Sequence, residues 1–258
     1  MKETVLDVEL PTPVGEKNTG KPPDYSLREV LSSMVNLPLR TAFLGLDKND
    51  NPLLMDLMDP RPGAILICSD KEAGKLKLAK TLLHSLAFSN RPYEVQFSII
   101  SARTNQWRYE HLNLPDYIPH LTNNYDRNAG QTVLEVCDLV ESRQHGRNEG
   151  ACRVVIVDGF DTVPYMDFDV RINFEWLLQE GPYVEIWPIV LMDSRTAMEH
   201  KQWVEKFKTR IIGRIKDRNV GTTISSMGGI ASDQLINGSE FAVRVSNREH
   251  HFYLPNVF

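Results

Sequence analysis

Along the chain, short continuous apolar runs alternate with segments in which apolar residues recur every three or four positions. Ala64–Cys68, Tyr93–Ser101, Arg153–Val157 and Val184–Met192 are runs of the kind buried on both faces of a sheet. Helical spacing marks Leu76, Ala79, Leu82, Leu83 and Leu86, and again Val133, Val136, Cys137 and Val140 within Asn128–Gln144. Further helices are expected over Asp169–Gly181, stopped by Gly181-Pro182, over Ala197–Phe207, and over the short stretch Tyr25–Met34. Ala42–Leu46 and Pro52–Leu57 flank the polar turn Asp47-Lys48-Asn49-Asp50-Asn51 and predict a hairpin. Thr209–Ile215 predicts a fifth sheet strand, Ser225–Leu235 a small-residue helix or loop, and Phe241–Val245 with His250–Leu254 a terminal hairpin. Arg103–Asn124, polar and interrupted by proline, reads as a surface excursion. Strands alternating with helices predict an α/β fold, a mostly parallel central sheet with helices on both faces.

Composition narrows this picture modestly. Residues 1–24 carry Pro11, Pro13, Pro22 and Pro23 with Gly15 and Gly20 among them, a linker or extended arm, which leaves 25–258 as one large domain. Hydrophobic residues at 41% and charged ones at 24% are ordinary for a globular protein. A formal charge of −5 argues against a surface that coats DNA, though it is compatible with a local basic patch. Cys68, Cys137 and Cys152 are unclustered and lack metal-ligand spacing, so they read as buried free thiols of a reducing compartment. No apolar run approaches the roughly 18 residues of a membrane span and no signal-peptide core is evident, so a cytoplasmic or cytoplasm-facing location without membrane insertion is expected.

The chemistry concentrates where the Ala64–Cys68 run ends. Ser69-Asp70-Lys71-Glu72-Ala73-Gly74-Lys75-Leu76 lies between a strand and a helix, the layout of a phosphate-binding P-loop, with Gly74-Lys75 as its GK pair. Backbone amides and the helix dipole favour an anion there. The full pattern has glycine where Ser69 stands and a hydroxyl where Leu76 stands. A left-handed serine would cost roughly 1–2 kcal/mol, and a leucine methyl cannot ligate magnesium. A carboxylate of Asp70 or Glu72 about 5 Å from a phosphate charge would oppose it by about 3 kcal/mol at an effective dielectric of 20, which Lys71, Lys75 and Lys77 offset in part. Phosphate contact and an inherited helix start both fit Gly74-Lys75.

Several stretches together resemble the motor domain of FtsK/SpoIIIE/HerA-type P-loop ATPases. Leu44-Gly45-Leu46-Asp47 with Asn51-Pro52 and Asp56-Leu57 is similar to the segment before that family's P-loop strand. Gly74-Lys75 matches its Walker A end, Ile118-Pro119-His120-Leu121 its IPHL motif, and Val154-Val155-Ile156-Val157-Asp158 its Walker B strand. Thr209-Arg210-Ile211 through Arg214-Ile215 resembles its TRI-x-x-RV strand. The likeness runs over about residues 37–255. It implies a RecA-like core with the Walker B strand third and a sensor strand following, ring or tandem assembly with other ATPase domains, and ATP with Mg²⁺ as cofactor. The type VII secretion ATPases of the EccC/EssC sort, whose degenerate domains regulate active neighbours and bind substrate peptides, are the most specific resemblance.

The departures bear on activity. The family follows its Walker B aspartate with a water-activating glutamate; here Gly159 follows Asp158, and loss of a general base typically costs 10²–10⁴-fold in rate. Asp161 is a weak substitute for that base. Met192-Asp193-Ser194-Arg195 is only loosely similar to the family's polar sensor. Asp158 either holds Mg²⁺ through water or caps the turn after its strand. Arg210 and Arg214 are candidates to act in trans on a neighbouring subunit's nucleotide, or serve surface ion pairs. Trp107 and Arg108 either stack on a base or a partner or are partly buried under the loop. His250-His251, alternating across a strand, is poor metal-ligand geometry, and Gly228-Gly229 with Ser225-Ser226 reads as a flexible connection. The expected function is a degenerate P-loop domain with weak or no ATP binding and little or no hydrolysis. It would act as a regulatory, assembly and partner-binding module of a translocation motor, its substrate a protein or signal peptide. An active ATP-dependent DNA translocase is the alternative.

Overall fold

The computed structural model describes residues 24–34, 37–107, 114–126, 128–147, 150–225, 230–245 and 248–256. The proline-rich arm over 1–23, Arg108 and the Gly228-Gly229 pair lie outside them.

Ten strands form one sheet: β1 (Thr41–Leu46), β2 (Pro52–Asp56), β3 (Ile65–Ser69), β4 (Val95–Ser101), β5 (His120–Thr122), β6 (Cys152–Asp158), β7 (Ile186–Asp193), β8 (Thr209–Ile212), β9 (Glu240–Val245) and β10 (Arg248–Tyr253). Their spatial order is β2-β1-β10-β9-β8-β3-β7-β6-β4-β5. The run from β8 to β5 is parallel throughout, whereas β9, β10, β1 and β2 continue the sheet as an antiparallel wing. One strand, β7, separates the P-loop strand β3 from the Asp158 strand β6, as a RecA-like order requires. The continuous burial of β3 and β7 follows from cover on both faces.

The alternation along β3 assigns those faces. Ile65 and Ile67 pack under α2 (Lys75–Ser89), against its Leu78, Leu82 and Leu86, while Leu66 and Cys68 meet the opposite layer. That layer contains α3 (Asn128–Gln144), α4 (Phe168–Glu180), α5 (Ser194–Glu199), α6 (Lys201–Val204) and α7 (Arg218–Ser225). α1 (Leu27–Ser33), closed by a capping box between Ser26 and Glu29, covers Phe43 and Leu46 of β1. Among the described residues no helix is long and apolar enough to cross a membrane. All three cysteines are buried, and burial first of all pushes each thiol up to about 12.

Three expectations are corrected. The segment over 103–124 is more than a surface excursion: it buries Trp107 and adds β5 as a parallel edge strand beside β4. The helix expected over Ala197–Phe207 is two short ones, broken at His200 where φ is −122° and ψ 45°. A helix occurs at Arg218–Ser225, ahead of the Ser225–Leu235 stretch, where Gly221 permits contact with Ser232 that a Cβ would block at 1.9 Å from Oγ. Its sequence RNVGTTIS is poor in strong helix formers, which hides it from a reading by propensity.

The β9–β10 hairpin holds an ionisable cluster. His251 Nδ1 lies 3.0 Å from Glu240 Oε1 and its Nε2 2.6 Å from Glu249 Oε1, so only an imidazolium donates to both. The Glu240 bond chiefly raises the His251 pKa. Burial pushes Glu240 upward, but the bonds from His251 and the Ile236 amide prevail and leave it lowered. The raised imidazole contributes stability below the ordinary value of 6.5, lost as pH rises through its folded value; the lowered carboxyl contributes above 4.5, lost as pH falls. Melting temperature should therefore decline as pH rises above the ordinary imidazole value of 6.5, and His251→Gln should flatten that slope; an unchanged slope in the variant would remove the cluster's role.

Candidate functional site

Ser69 closes β3 and Gly74 opens α2, and the loop between them has P-loop geometry. Gly74 is left-handed at φ 93°, ψ −1°, and Glu72 is left-handed at φ 59°. The strain expected at Ser69 therefore falls on Glu72, because Ser69 keeps the extended backbone of β3. Gly74 is required twice over. Its φ disfavours a side chain, and a Cβ there would sit 2.8 Å from the Cα and carbonyl oxygen of Gly238. Ala73 N turns back onto Asp70 O at 3.2 Å. Among the described residues, the amides of Glu72, Gly74, Lys75 and Leu76 meet no carbonyl, as the first turn of a helix leaves them.

Lys75 is buried and fully engaged. Its Nζ lies 2.6 Å from Asp193 Oδ1 and donates to Asp70 O at 2.8 Å, Ser69 O at 3.2 Å and Ser69 Oγ at 3.3 Å. Sheet register supplies the partner, since Asp193 at the end of β7 is the parallel neighbour of Ser69. The carboxylate of Asp70, expected to face a phosphate, instead accepts from Ser194 Oγ and, at 2.9 Å, from Lys216 N. Its own amide donates to Arg214 O at 2.9 Å, so the loop is clasped to the strand ends on both sides. Glu72 and Lys71 are exposed, and Leu76 is half-buried against the α2 core.

Asp158 is only 3% exposed and accepts from Ser101 Oγ at 2.7 Å, Trp107 Nε1 at 3.0 Å and Arg103 Nη2 at 2.9 Å. Register again explains the partner: Ser101 ends β4 opposite Asp158. With an arginine and two further donors on its oxygens, Asp158 is not arranged to receive Mg²⁺. Leu76 offers no oxygen ligand, and no group of three or more His, Cys, Asp or Glu among the described residues could hold a metal. These residues do not fit the metal that a working P-loop uses. Gly159 adopts φ 101°, ψ 89°, and a Cβ there would lie 3.2 Å from Asp161 Oδ1 and 3.3 Å from Asn124 Nδ2. The position of the missing base is thus closed to a glutamate by backbone conformation as well as by sequence. Asp161 is exposed, and its carboxylate accepts from Tyr125 at 3.2 Å.

The trans-acting candidates divide. Arg210 is turned inward: it donates to Ile224 O at 3.0 Å and Phe207 O at 3.3 Å, and burial lowers its pKa. Arg214 is half-buried: its carbonyl accepts from the Asp70 amide of the chain's own P-loop, and its Nε is buried without a hydrogen-bond partner among the described residues. The sequence marks Asp193 only within a loose likeness to a polar sensor, and it does not single out Ser101 or Arg103. Beyond that likeness, the sequence signals Asp193 only by its place at the end of a buried strand, and pairing with Ser69 is a property of the sheet.

No protein-family model matches the chain, and no curated sequence matches it. Solved structures do. Thermomonospora curvata EccC (ATPases 2 and 3) in complex with a signal sequence peptide superposes with a TM-score of 0.67 at 12% identity, over 86% of this chain and 42% of that one. EssC (ATPases 2 and 3) from Geobacillus thermodenitrificans gives 0.68 at 15% identity, over 91% and 47%. The pCW3 conjugation coupling protein TcpA, a monomer form with ATPγS, gives 0.65 at 12% identity, over 86% and 67%. These neighbours are P-loop ATPase domains of the FtsK/SpoIIIE type, and at such identities the likeness establishes the RecA-like P-loop fold. The chain spans less than half the length of the EccC and EssC chains.

Asp158→Ala should cost about 2–4 kcal/mol in urea unfolding, because it leaves Trp107 and Ser101 donors buried without an acceptor. A carboxylate kept for a metal would instead be neutral or stabilising to remove in EDTA, and that result would count against the bonding described above.

Proposed function

We propose that this chain is a degenerate FtsK/SpoIIIE-type P-loop domain that serves a translocation motor as a regulatory, assembly and partner-binding module. On this reading it binds ATP weakly or not at all and hydrolyses little or none. The observation that carries the reading is the commitment of Asp158 to Ser101, Arg103 and Trp107, which takes the Walker B carboxylate out of metal chemistry. Leu76 and the left-handed Gly159 support it from the two other positions that the chemistry needs. Hydrolysis requires a metal, an activated water and a charge clamp at one phosphate; the first two lack residues here, and the clamp lysine is held by Asp193.

The module part rests on the fold neighbours. The EccC and EssC structures contain more than one ATPase domain, and this chain covers less than half of each. A neighbouring ATPase domain is therefore the first partner we assign, facing the cytoplasm as in the cytoplasmic domain of EssC. The signal sequence peptide bound to EccC makes a protein segment the substrate class we favour over DNA, in keeping with the net charge of −5.

A steady-state ATPase assay with Mg²⁺ tests this. Turnover should stay below about 0.1 s⁻¹, since losing the base alone removes roughly 10²–10⁴ from ordinary values near 1–10 s⁻¹. Turnover above about 1 s⁻¹ that Lys75→Ala abolishes would restore the active translocase.

A further inference from the structure

We infer that Asp193 is the resident anion of the P-loop: its carboxylate holds the charge position of a phosphate and keeps polyphosphates out. When it is displaced, the loop takes a phosphate or diphosphate without a metal. The inference deepens the reading of a non-hydrolysing site and rests on it.

Asp193 is placed by its backbone as the N-cap of α5, at φ −70°, ψ 146°. Aspartate there normally accepts from its own helix's amides. This one makes no such bond and instead lies 2.6 Å from Lys75 Nζ. The side chains differ in access: Lys75 is 9% exposed and Asp193 43%, so the carboxylate reaches a sunken ammonium from the solvent side, the route an incoming anion would take. The next residue acts in concert, since Ser194 Oγ donates to the Asp70 carboxylate, which Lys216 N also holds. That arrangement removes Asp70 as the source of repulsion and leaves Asp193 as the competing negative charge on the lysine. The loop keeps what recognises a phosphate: left-handed Glu72 and Gly74, the helix-start amides and Lys75 itself. It lacks what recognises magnesium, since Leu76 has no hydroxyl and Asp158 is bonded elsewhere. The ligand class is accordingly a metal-free phosphate or diphosphate group, and its affinity is set by competition with Asp193.

Inorganic pyrophosphate titrated calorimetrically in EDTA, and again with Mg²⁺, tests the inference on wild type, Asp193→Asn and Asp193→Asn/Lys75→Ala. A charge-assisted hydrogen bond corresponds to about ten- to a hundredfold in an equilibrium constant. Asp193→Asn should tighten binding by that factor, equally with and without the metal, and the double variant should lose the gain. Asp193→Ser, which restores a capping hydroxyl to α5, should behave like Asp193→Asn and stands in if the asparagine variant does not fold. Binding by either folded variant no tighter than wild type would overturn the inference, as would a gain that survives loss of Lys75. Magnesium-dependent ATP turnover by the wild-type protein would instead defeat the non-hydrolysing reading, a readout separate from the effect of Asp193.

Discussion

A buried ammonium must have a counter-charge, and Lys75 at the start of α2 imposes that condition on everything around it. In a P-loop that works on nucleotides the counter-charge arrives with the substrate. Here it belongs to the chain: Asp193 sits 2.6 Å from the ammonium, and the carbonyls of Ser69 and Asp70 take its remaining donors. The lysine needs no ligand for its neutralisation, whereas among the described residues the amides of Glu72, Gly74, Lys75 and Leu76 meet no carbonyl. Asp70 follows the same logic, its carboxylate drawn off to Ser194 and the Lys216 amide.

Asp158 presents the same condition two strands away. A carboxylate buried to 3% exposure needs donors, and Ser101, Arg103 and Trp107 provide them. The loop after β4 is thereby pinned beneath the sheet end, and Trp107 enters the core under α2. A residue type that a motor reserves for metal thus anchors structure here. Low-dielectric surroundings make a half-satisfied network worse than an apolar one, and here three donors converge on the one buried carboxylate. The left-handed Gly159 and the Gly74–Gly238 contact belong to the same settlement, in which backbone positions are fixed by packing.

Sheet register decides which carboxylate reaches which partner. Asp193 pairs with Ser69, whereas Asp158 pairs with Leu191, two residues short of Asp193 on the same strand. Asp158 therefore lies about 6.6 Å further back along the strands and roughly 9.6 Å across them from Ser69. That offset places Asp193 beside Lys75 and Asp158 beside Ser101. Sequence motifs single out Asp158 and give Asp193 only a loose likeness to a sensor, since a motif carries residue type and spacing but not the level at which two strands are aligned.

Much of the chain is legible from its residues because the information is local. The period-two and period-3.6 patterns mark β3, α2, α3, β6 and β7, whose apolar faces must be buried whatever their neighbours, and Leu76 and Gly159 declare the missing hydroxyl and base directly. Weak or short elements escape: β5 has three residues, and α7 is held by Gly221 against Ser232 rather than by its own propensity. The sequence by itself determined that a P-loop-shaped strand–loop–helix exists and that Leu76 and Gly159 stand where the resembled family has a hydroxyl and a glutamate. Only the tertiary structure decided that Asp193 neutralises the lysine, that Asp158 is spent on Trp107, Arg103 and Ser101, and that Arg210 faces inward. The reason is that charge and hydrogen-bond partners are chosen by proximity across strands far apart in the chain, while secondary structure answers mostly to residues close together along it.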